Sequence, residues 1–172
     1  MMRQSVMAGV AAAGILAVAG LSACADDDDY NPAAVGKVLA EASVPLEQGI
    51  KASEREGKPI SGKYEVEDGA LQLSVYTVKG DKFSEVIVDH KTGAIKKAET
   101  ITDPEDLEEA TKQSQAMAKA KLSLDQAVEN AVKANGHYRA VRVVPSLAGG
   151  APVAAVTLMK GEDVKNVTET LD

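Results

Sequence analysis

Apolar residues recur first with a helical period and then with a strand period, and this order occurs twice along the chain. The clearest helical stripe consists of five apolar residues at the helical positions i, i+3, i+4, i+7 and i+8, namely Leu124, Ala127, Val128, Ala131 and Val132. Residues at this spacing share one face of a helix. Ser123 and Gln126 have the spacing of a capping box, which predicts where that helix begins. A weaker stripe containing Leu46 and Ile50 predicts a helix over 45–56.

Behind the first helix, apolar and polar residues alternate, as is typical of half-buried strands. The predicted strands cover 60–67, 70–78 and 83–89, followed by a short edge strand over 94–101. Asp68-Gly69 and Lys79-Gly80-Asp81 are predicted to form the tight turns between them. A further helix is predicted over 32–42, because Pro32 suits a first helical turn.

The second half repeats this order in a more divergent form. Asp103-Pro104 predicts the start of a mostly polar connector helix that reaches about Ala120. The strands predicted after the capped helix cover 138–144, 153–159 and 164–171, with a loop over 145–150. The predicted fold class is therefore α+β. Two repeats, 32–101 and 102–172, each contain a helix followed by a three-stranded antiparallel meander, and the sheet packs against the helices.

The segment before these repeats has the features of an export signal. Arg3 precedes a short apolar run that ends in small residues, which predicts a signal peptide over 1–23. Leu21-Ser22-Ala23-Cys24 resembles the lipobox of bacterial lipoproteins, which implies lipidation of Cys24 and a membrane anchor. In lipoproteins of this kind, Ala25 after the cysteine, in place of an Asp, implies the periplasmic face of the outer membrane if the organism has one. The alternative is a plain signal peptide, cut so that the mature chain begins at Asp26.

Composition and charge narrow the classes of partner. Without the signal peptide the chain has 18 cationic and 26 acidic residues, a net charge of −8, which disfavours nucleic-acid binding. The run Asp26–Asp29 is interpreted as a solvated linker within 24–31, with a cation site as the alternative. Cys24 is the single cysteine of the chain, so an intrachain disulfide and a cysteine-based zinc site are excluded.

The first half resembles a PepSY domain. The resemblance rests on Leu46-Glu47-Gln48-Gly49-Ile50-Lys51-Ala52, a strand that ends in Glu-Asp-Gly, and the segment from Phe83 to Gly93, which ends in Asp-x-x-Thr-Gly. It covers about residues 43–98. PepSY domains are small modules of a helix and an antiparallel sheet in exported bacterial proteins and in propeptides of some secreted metallopeptidases. The resemblance implies that the chain modulates or inhibits a peptidase.

Catalytic, cofactor-binding and metal-binding residues are not predicted. His90 and His137 are interpreted as turn residues and Met117 as a packing residue. We expect a non-catalytic module that binds a protein or peptide through its strand edges or open sheet face. The alternatives are an envelope sensor or structural scaffold without a peptidase link, and, third, a carrier of a small ligand or metal.

Overall fold

The computed structural model describes residues 30–172. The predicted signal peptide, the lipidation site Cys24 and the acidic run Asp26–Asp29 lie outside the described residues. The helices are α1 (Pro32–Val38, continued by a 3₁₀ turn over Leu39–Glu41), α2 (Leu46–Ser53), α3 (Pro104–Lys119) and α4 (Leu124–Ala134). The strands are β1 (Lys58–Glu67), β2 (Ala70–Lys79), β3 (Lys82–Val88), β4 (Ile95–Thr100), β5 (Arg139–Ala148), β6 (Ala151–Lys160) and β7 (Asp163–Thr170).

All seven strands belong to one antiparallel sheet with the order β4-β3-β2-β1-β5-β6-β7. Strands β1 to β4 form one meander and β5 to β7 form the other, so β1 and β5 meet at the centre. The prediction of an α+β fold with an antiparallel sheet is confirmed. The first meander has four strands where the predicted repeat has three, because the edge strand β4 pairs with β3 over five residue pairs.

The seam between the two meanders is short. Strands β1 and β5 pair only at Gly62 with Val143 and at Lys63 with Arg142. A register shift follows Pro59 in β1, and another precedes Arg142 in β5. Next to the seam, the segment that follows α1 is hydrogen-bonded to the first residue of β5. The Arg139 guanidinium donates to the carbonyls of Leu39 and Ala42, at 3.0 and 3.1 Å.

Helices α2 and α4 pack on the side of the sheet that we call the front face. Two glycines allow α2 and the sheet to approach each other closely on this face. A Cβ at Gly49 would lie 2.4 Å from Leu73 Cδ2, and one at Gly62 would lie 3.3 Å from Ile50 Cγ1. The largest fully buried side chains include Tyr64, Leu46, Ile50, Ile60, Leu73, Leu124, Leu158, Met159 and Leu171. The apolar stripe of α4 belongs to this core.

The opposite side of the sheet, which we call the back face, is covered in part by α3. Side chains alternate along a strand, so Lys63 and Arg142 point away from the front-face residues Gly62 and Val143. They line a cleft together with residues of α3. Helix α3 therefore lies on the back face, along the seam. Strands β2 to β4 extend beyond it, and Tyr76 of β2 lies at the border, where it lines the cleft together with α3.

The predicted loop over Pro145–Gly150 is wrong. Strand β5 continues to Ala148, and Gly149 and Gly150 form the hairpin turn with φ of +58° and +87°. Pro145 pairs with Ala154 on one side but has no ladder partner in β1. Its missing N–H is therefore tolerated, as on an edge strand.

Candidate functional site

The back face carries two adjoining concave regions that share Tyr76. The central cleft lies between α3 and the seam, and Lys63, Tyr76, Asp106, Gln113 and Arg142 are among its lining residues. The outer groove lies over β1 to β4. Its volume is about 620 Å³, compared with about 60 Å³ for the central cleft. The outer groove therefore has room for side chains of another molecule, whereas the central cleft is narrow.

The lining of the outer groove is mainly acidic. Its charged residues are four glutamates and two lysines, namely Glu65, Glu67, Glu85, Glu99, Lys96 and Lys97. Lys97 pairs with Glu99 at 2.7 Å, and Lys96 pairs with Asp89 at 3.1 Å. Glu67 and Glu85 form no ion pair with any of the described residues 30–172. Glu67 and Glu85 therefore contribute negative charge to the groove that no ion pair within residues 30–172 neutralises.

A hydrogen-bonded network gives the floor of the outer groove its shape. Ser74 is fully buried, and its hydroxyl donates to Glu65 Oε1 at 2.6 Å. Gln72 Nε2 donates to Ser74 Oγ at 3.0 Å, and Lys63 pairs with Glu65 at 2.9 Å. These groups lie on neighbouring strands in register, since Glu65 is opposite Gln72 and Lys63 is opposite Ser74. The polar floor is thus held by the sheet itself.

Glu85 has the most perturbed carboxyl group of the groove. Burial raises its pKa above the ordinary glutamate value, and the nearby negative charge of Glu65 raises it further. A hydrogen bond with Ser74 and the positive charge of Lys63 oppose this rise. A carboxylate in this position is stabilised by an added cation, because nearby positive charge favours the ionised form. Beside it, Tyr76 and Ile87 provide apolar surface in the same groove.

The Asp-x-x-Thr-Gly segment that carried much of the family resemblance is a structural turn. The Asp89 carboxylate accepts from the N–H groups of Lys91 and Thr92, at 2.9 and 2.8 Å. These bonds, with the Lys96 ion pair, hold the pKa of Asp89 well below its ordinary value. Gly93 has φ of +77°, which glycine adopts without strain. The motif therefore shapes the β3–β4 turn.

The same turn is attached to the start of α2. The carbonyl of His90 accepts from the N–H groups of Ser43 and Val44, at 2.9 and 3.0 Å. His90 is half-buried in this turn. His137 is exposed in the turn before β5, with φ of +74°. Met117 is buried in the core. Among the described residues, no three His, Cys, Asp or Glu side chains are grouped so that they could hold a metal ion.

The outer groove was not predicted from the sequence. The predicted strand over 70–78 contains Gln72, Ser74 and Tyr76, which alternate with apolar residues and lie on the back face. The position of α3 determines which part of the face stays open, and no local pattern reports it. The predicted lipidation site Cys24 lies outside the described residues, so the structure does not place it.

Neither a protein-family model nor a curated protein sequence matches the chain. The chain is similar to a solved structure of a candidate lipoprotein from Clostridium difficile 630. The TM-score is 0.44 and the identity is 15%, over 76% of this chain and 88% of the other. Within residues 30–172, no helix has the length and apolar character needed to cross a membrane.

Proposed function

We propose that this chain is an exported, non-catalytic lipoprotein whose outer groove binds a basic segment of a polypeptide in the cell envelope. The observation that carries the proposal is the open, acidic outer groove on the back face. Its charge selects for lysine or arginine, and Tyr76 can add a contact with such a cation. Ile87 offers apolar surface for the stems of these side chains.

The geometry of the groove suits an extended segment. The groove crosses the strands β1 to β4, so a bound segment would meet side chains from each of them. Glu67 and Glu85 lie on different strands, β1 and β3. Two basic residues of one segment could therefore each meet a carboxylate. Electrostatic complementarity of this kind contributes specificity and speeds association.

The proposal includes a PepSY-like origin for the two halves. It is supported by their order, since α2 leads into β1 and α4 leads into β5, and by the antiparallel contact of β1 with β5 at the centre of the sheet. A duplicated unit would place its two copies in this way. Modulation of a peptidase remains part of the proposal because it is the activity that the PepSY resemblance implies.

Membrane attachment through Cys24 is a separate part of the proposal and has its own test. The support is the sequence Leu21-Ser22-Ala23-Cys24 behind a charged and apolar segment. Mass spectrometry of the mature N-terminus should show Cys24 as the first residue, carrying acyl chains. An unmodified chain that begins at Asp26 would refute the lipid anchor. The groove proposal would stand in that case.

The groove is tested by binding to an array of synthetic peptides that differ only in basic content. We expect peptides with two basic residues to bind and their glutamine-substituted versions not to bind. The variant Glu67→Gln with Glu85→Gln should lose this preference. A matched variant, Glu54→Gln with Glu129→Gln, removes two exposed acids from α2's end and α4 and should keep it. Equal binding by both variants would contradict the assignment of the groove.

The peptidase link is tested by titrating the protein into a panel of envelope peptidases. Slowed proteolysis, with relief in the groove variant, is the result that the proposal expects. Unchanged rates across the panel, together with selective peptide binding, would favour the envelope sensor or scaffold. The two experiments therefore separate binding from peptidase modulation.

A further inference from the structure

The sheet ends at β7, and the outer edge of this strand is open in the part of the chain that the structure describes. β7 is the last strand in the sheet order, and its ladder partner among the described strands is β6 alone. Within residues 30–172, the backbone hydrogen bonds outside helices and ladders involve none of residues 163–170. The edge therefore presents backbone donors and acceptors to a further strand.

The bonds to β6 determine which residues of β7 face outward. The N–H of Leu171 donates to the carbonyl of Pro152 at 3.0 Å, and the ladder continues from this pair in a constant register. Residues of an antiparallel strand bond alternately to the neighbour on one side and to the neighbour on the other. The odd-numbered residues of β7 therefore bond to β6. The residues that direct their N–H and C=O groups outward are Val164, Asn166, Thr168 and Thr170.

The opposite edge of the sheet carries features that discourage pairing with another strand. β4 contains two adjacent lysines, Lys96 and Lys97, and its register with β3 shifts between Ile87 and Val88. Lysines and bulges at an edge hinder edge-to-edge association. β7 has a single lysine, Lys165, and half of its side chains are valine or threonine. Because β-branched residues pack well against cross-strand neighbours, β7 is the edge suited to pairing.

We infer that two copies of this chain associate through β7, which pairs antiparallel with β7 of the second copy. Outward-facing residues must lie opposite one another to exchange hydrogen bonds, so odd-numbered residues also lie opposite odd-numbered ones. In the register that puts Val167 opposite its own counterpart, Lys165 of each copy is opposite Glu169 of the other. Two ion pairs thus form across the twofold axis. An interface of this kind uses the same surface on both copies and closes on itself.

The charges of β7 disfavour the other registers. Sliding one copy by two residues in one direction places Asp163 opposite Glu169, and in the other direction it places Lys165 opposite Leu171. Sliding it by four residues places Lys165 opposite its counterpart, or Glu169 opposite its counterpart. Like charges directly opposite each other are destabilising. Among registers that pair most of the strand, the one centred on Val167 is therefore the register in which charges attract.

The side chains at the axis fit this arrangement. Val167 is partly buried against the core, and its partner in β6 is the fully buried Val156. The Lys165 ammonium donates to Asn135 Oδ1. An ammonium has three donors, so this bond can persist beside one to Glu169 of the second copy. The inference goes beyond the proposed function, because the outer groove lies over β1 to β4 at the other end of the sheet and stays open in both copies.

Disulfide formation between copies tests the register. Val167→Cys places two cysteines at a non-hydrogen-bonded pair, where Cα atoms are about 4.5 Å apart, which is within the range that a disulfide bridges. Val164→Cys is the matched control. Val164 is 38% exposed, but in this register its two copies lie about 20 Å apart along the strands. The whole chain is produced in cells, oxidised with diamide and separated on a non-reducing gel, and the unsubstituted chain measures the background from Cys24.

We expect severalfold more covalent homodimer from Val167→Cys than from Val164→Cys. Adding Lys165→Glu to the Val167→Cys variant should lower this yield severalfold, because the change replaces two attractive pairs by two repulsive ones. The double exchange of Lys165→Glu with Glu169→Lys should restore the yield. The inference would be overturned by equal yields from the two cysteine positions, by no homodimer above background, by a yield that does not respond to the charges, or by a disulfide to a different protein.

Discussion

Replacing Tyr64 with phenylalanine removes one buried hydroxyl and leaves the ring in place. Tyr64 is 0% exposed in the core of β1. Its hydroxyl donates to the carbonyl of Val44, in the loop that leads into α2. The bond links two segments that are 20 residues apart in sequence. In the variant the Val44 carbonyl stays buried without this donor.

The size of the effect follows from the unpaired carbonyl. An intramolecular hydrogen bond contributes about 1 kcal/mol net, and an unsatisfied buried acceptor costs about 1–3 kcal/mol. The phenyl ring fills the same space as the tyrosine ring, so the free-energy cost of a new cavity is small. We therefore expect Tyr64→Phe to lower the free energy of unfolding by about 1–2 kcal/mol at neutral pH.

The same residue gives a pH signature. Burial raises the pKa of Tyr64 to about 12, and Glu47 adds to the rise while Arg139 opposes it. The unfolded-state pKa is about 10, so the folded state holds the proton more tightly. Its contribution to stability is complete below about pH 10 and is lost as the pH rises through about 12, by up to about 1.4 kcal/mol per pH unit. Phenylalanine cannot ionise. The difference in the free energy of unfolding between the unsubstituted protein and the Tyr64→Phe variant should therefore narrow between about pH 10 and about pH 12.

The assay is urea unfolding followed by far-ultraviolet circular dichroism, because the chain has no Trp to report by fluorescence. The free energies of the two proteins are compared at neutral pH and at several values above pH 10. Tyr138→Phe is the matched control, since its hydroxyl bonds an exposed partner, Asp163, and its effect should be small. Equal effects of the two substitutions, or a gap that stays constant above pH 10, would refute this account of Tyr64.

Two further predictions concern the turn and the close helix–sheet contact. Asp89→Ala should lower the urea midpoint at neutral pH. The pKa of Asp89 is depressed in the folded state, so this carboxylate contributes stability that is complete above about pH 4 and is lost as the pH falls. The difference in urea midpoint between the two proteins should therefore shrink in acid. A difference that stays constant with pH would contradict the role of Asp89 in the turn. Gly49→Ala should cost about 1–3 kcal/mol by overpacking, since the new Cβ meets the fully buried Leu73 at 2.4 Å. Gly136→Ala meets nothing within 4 Å and should have little effect, and similar unfolding curves for the two glycine variants would argue against the contact.

Elements with local chemical signals were predictable from the sequence. The reciprocal capping of Ser123 and Gln126 is present at the start of α4, and Asp103 caps α3. Asp68 and Gly69 form the predicted hairpin turn, both with positive φ. Each signal depends only on residues a few positions apart, so it does not require knowledge of the tertiary fold.

Features that depend on distant segments were not predictable in this way. The sequence predicts a loop from Pro145, but β5 continues through this residue, because β1 leaves that side of β5 unpaired and the missing N–H is tolerated. The outer groove depends in the same way on where α3 crosses the sheet. Gln72, Ser74 and Tyr76 read as an ordinary polar face until that helix is placed. Tertiary topology decided both cases.

The central claim is that the outer groove contacts a basic polypeptide segment, and site-specific photocrosslinking in the envelope tests it most directly. A photoreactive phenylalanine analogue would replace Tyr76, with the same substitution at the exposed Lys133 on α4 as control. The account predicts a discrete adduct from position 76 only, mapped to a segment rich in lysine or arginine and lost on Glu67→Gln with Glu85→Gln. Adducts that form equally at both positions, or that persist in the groove variant, would contradict it.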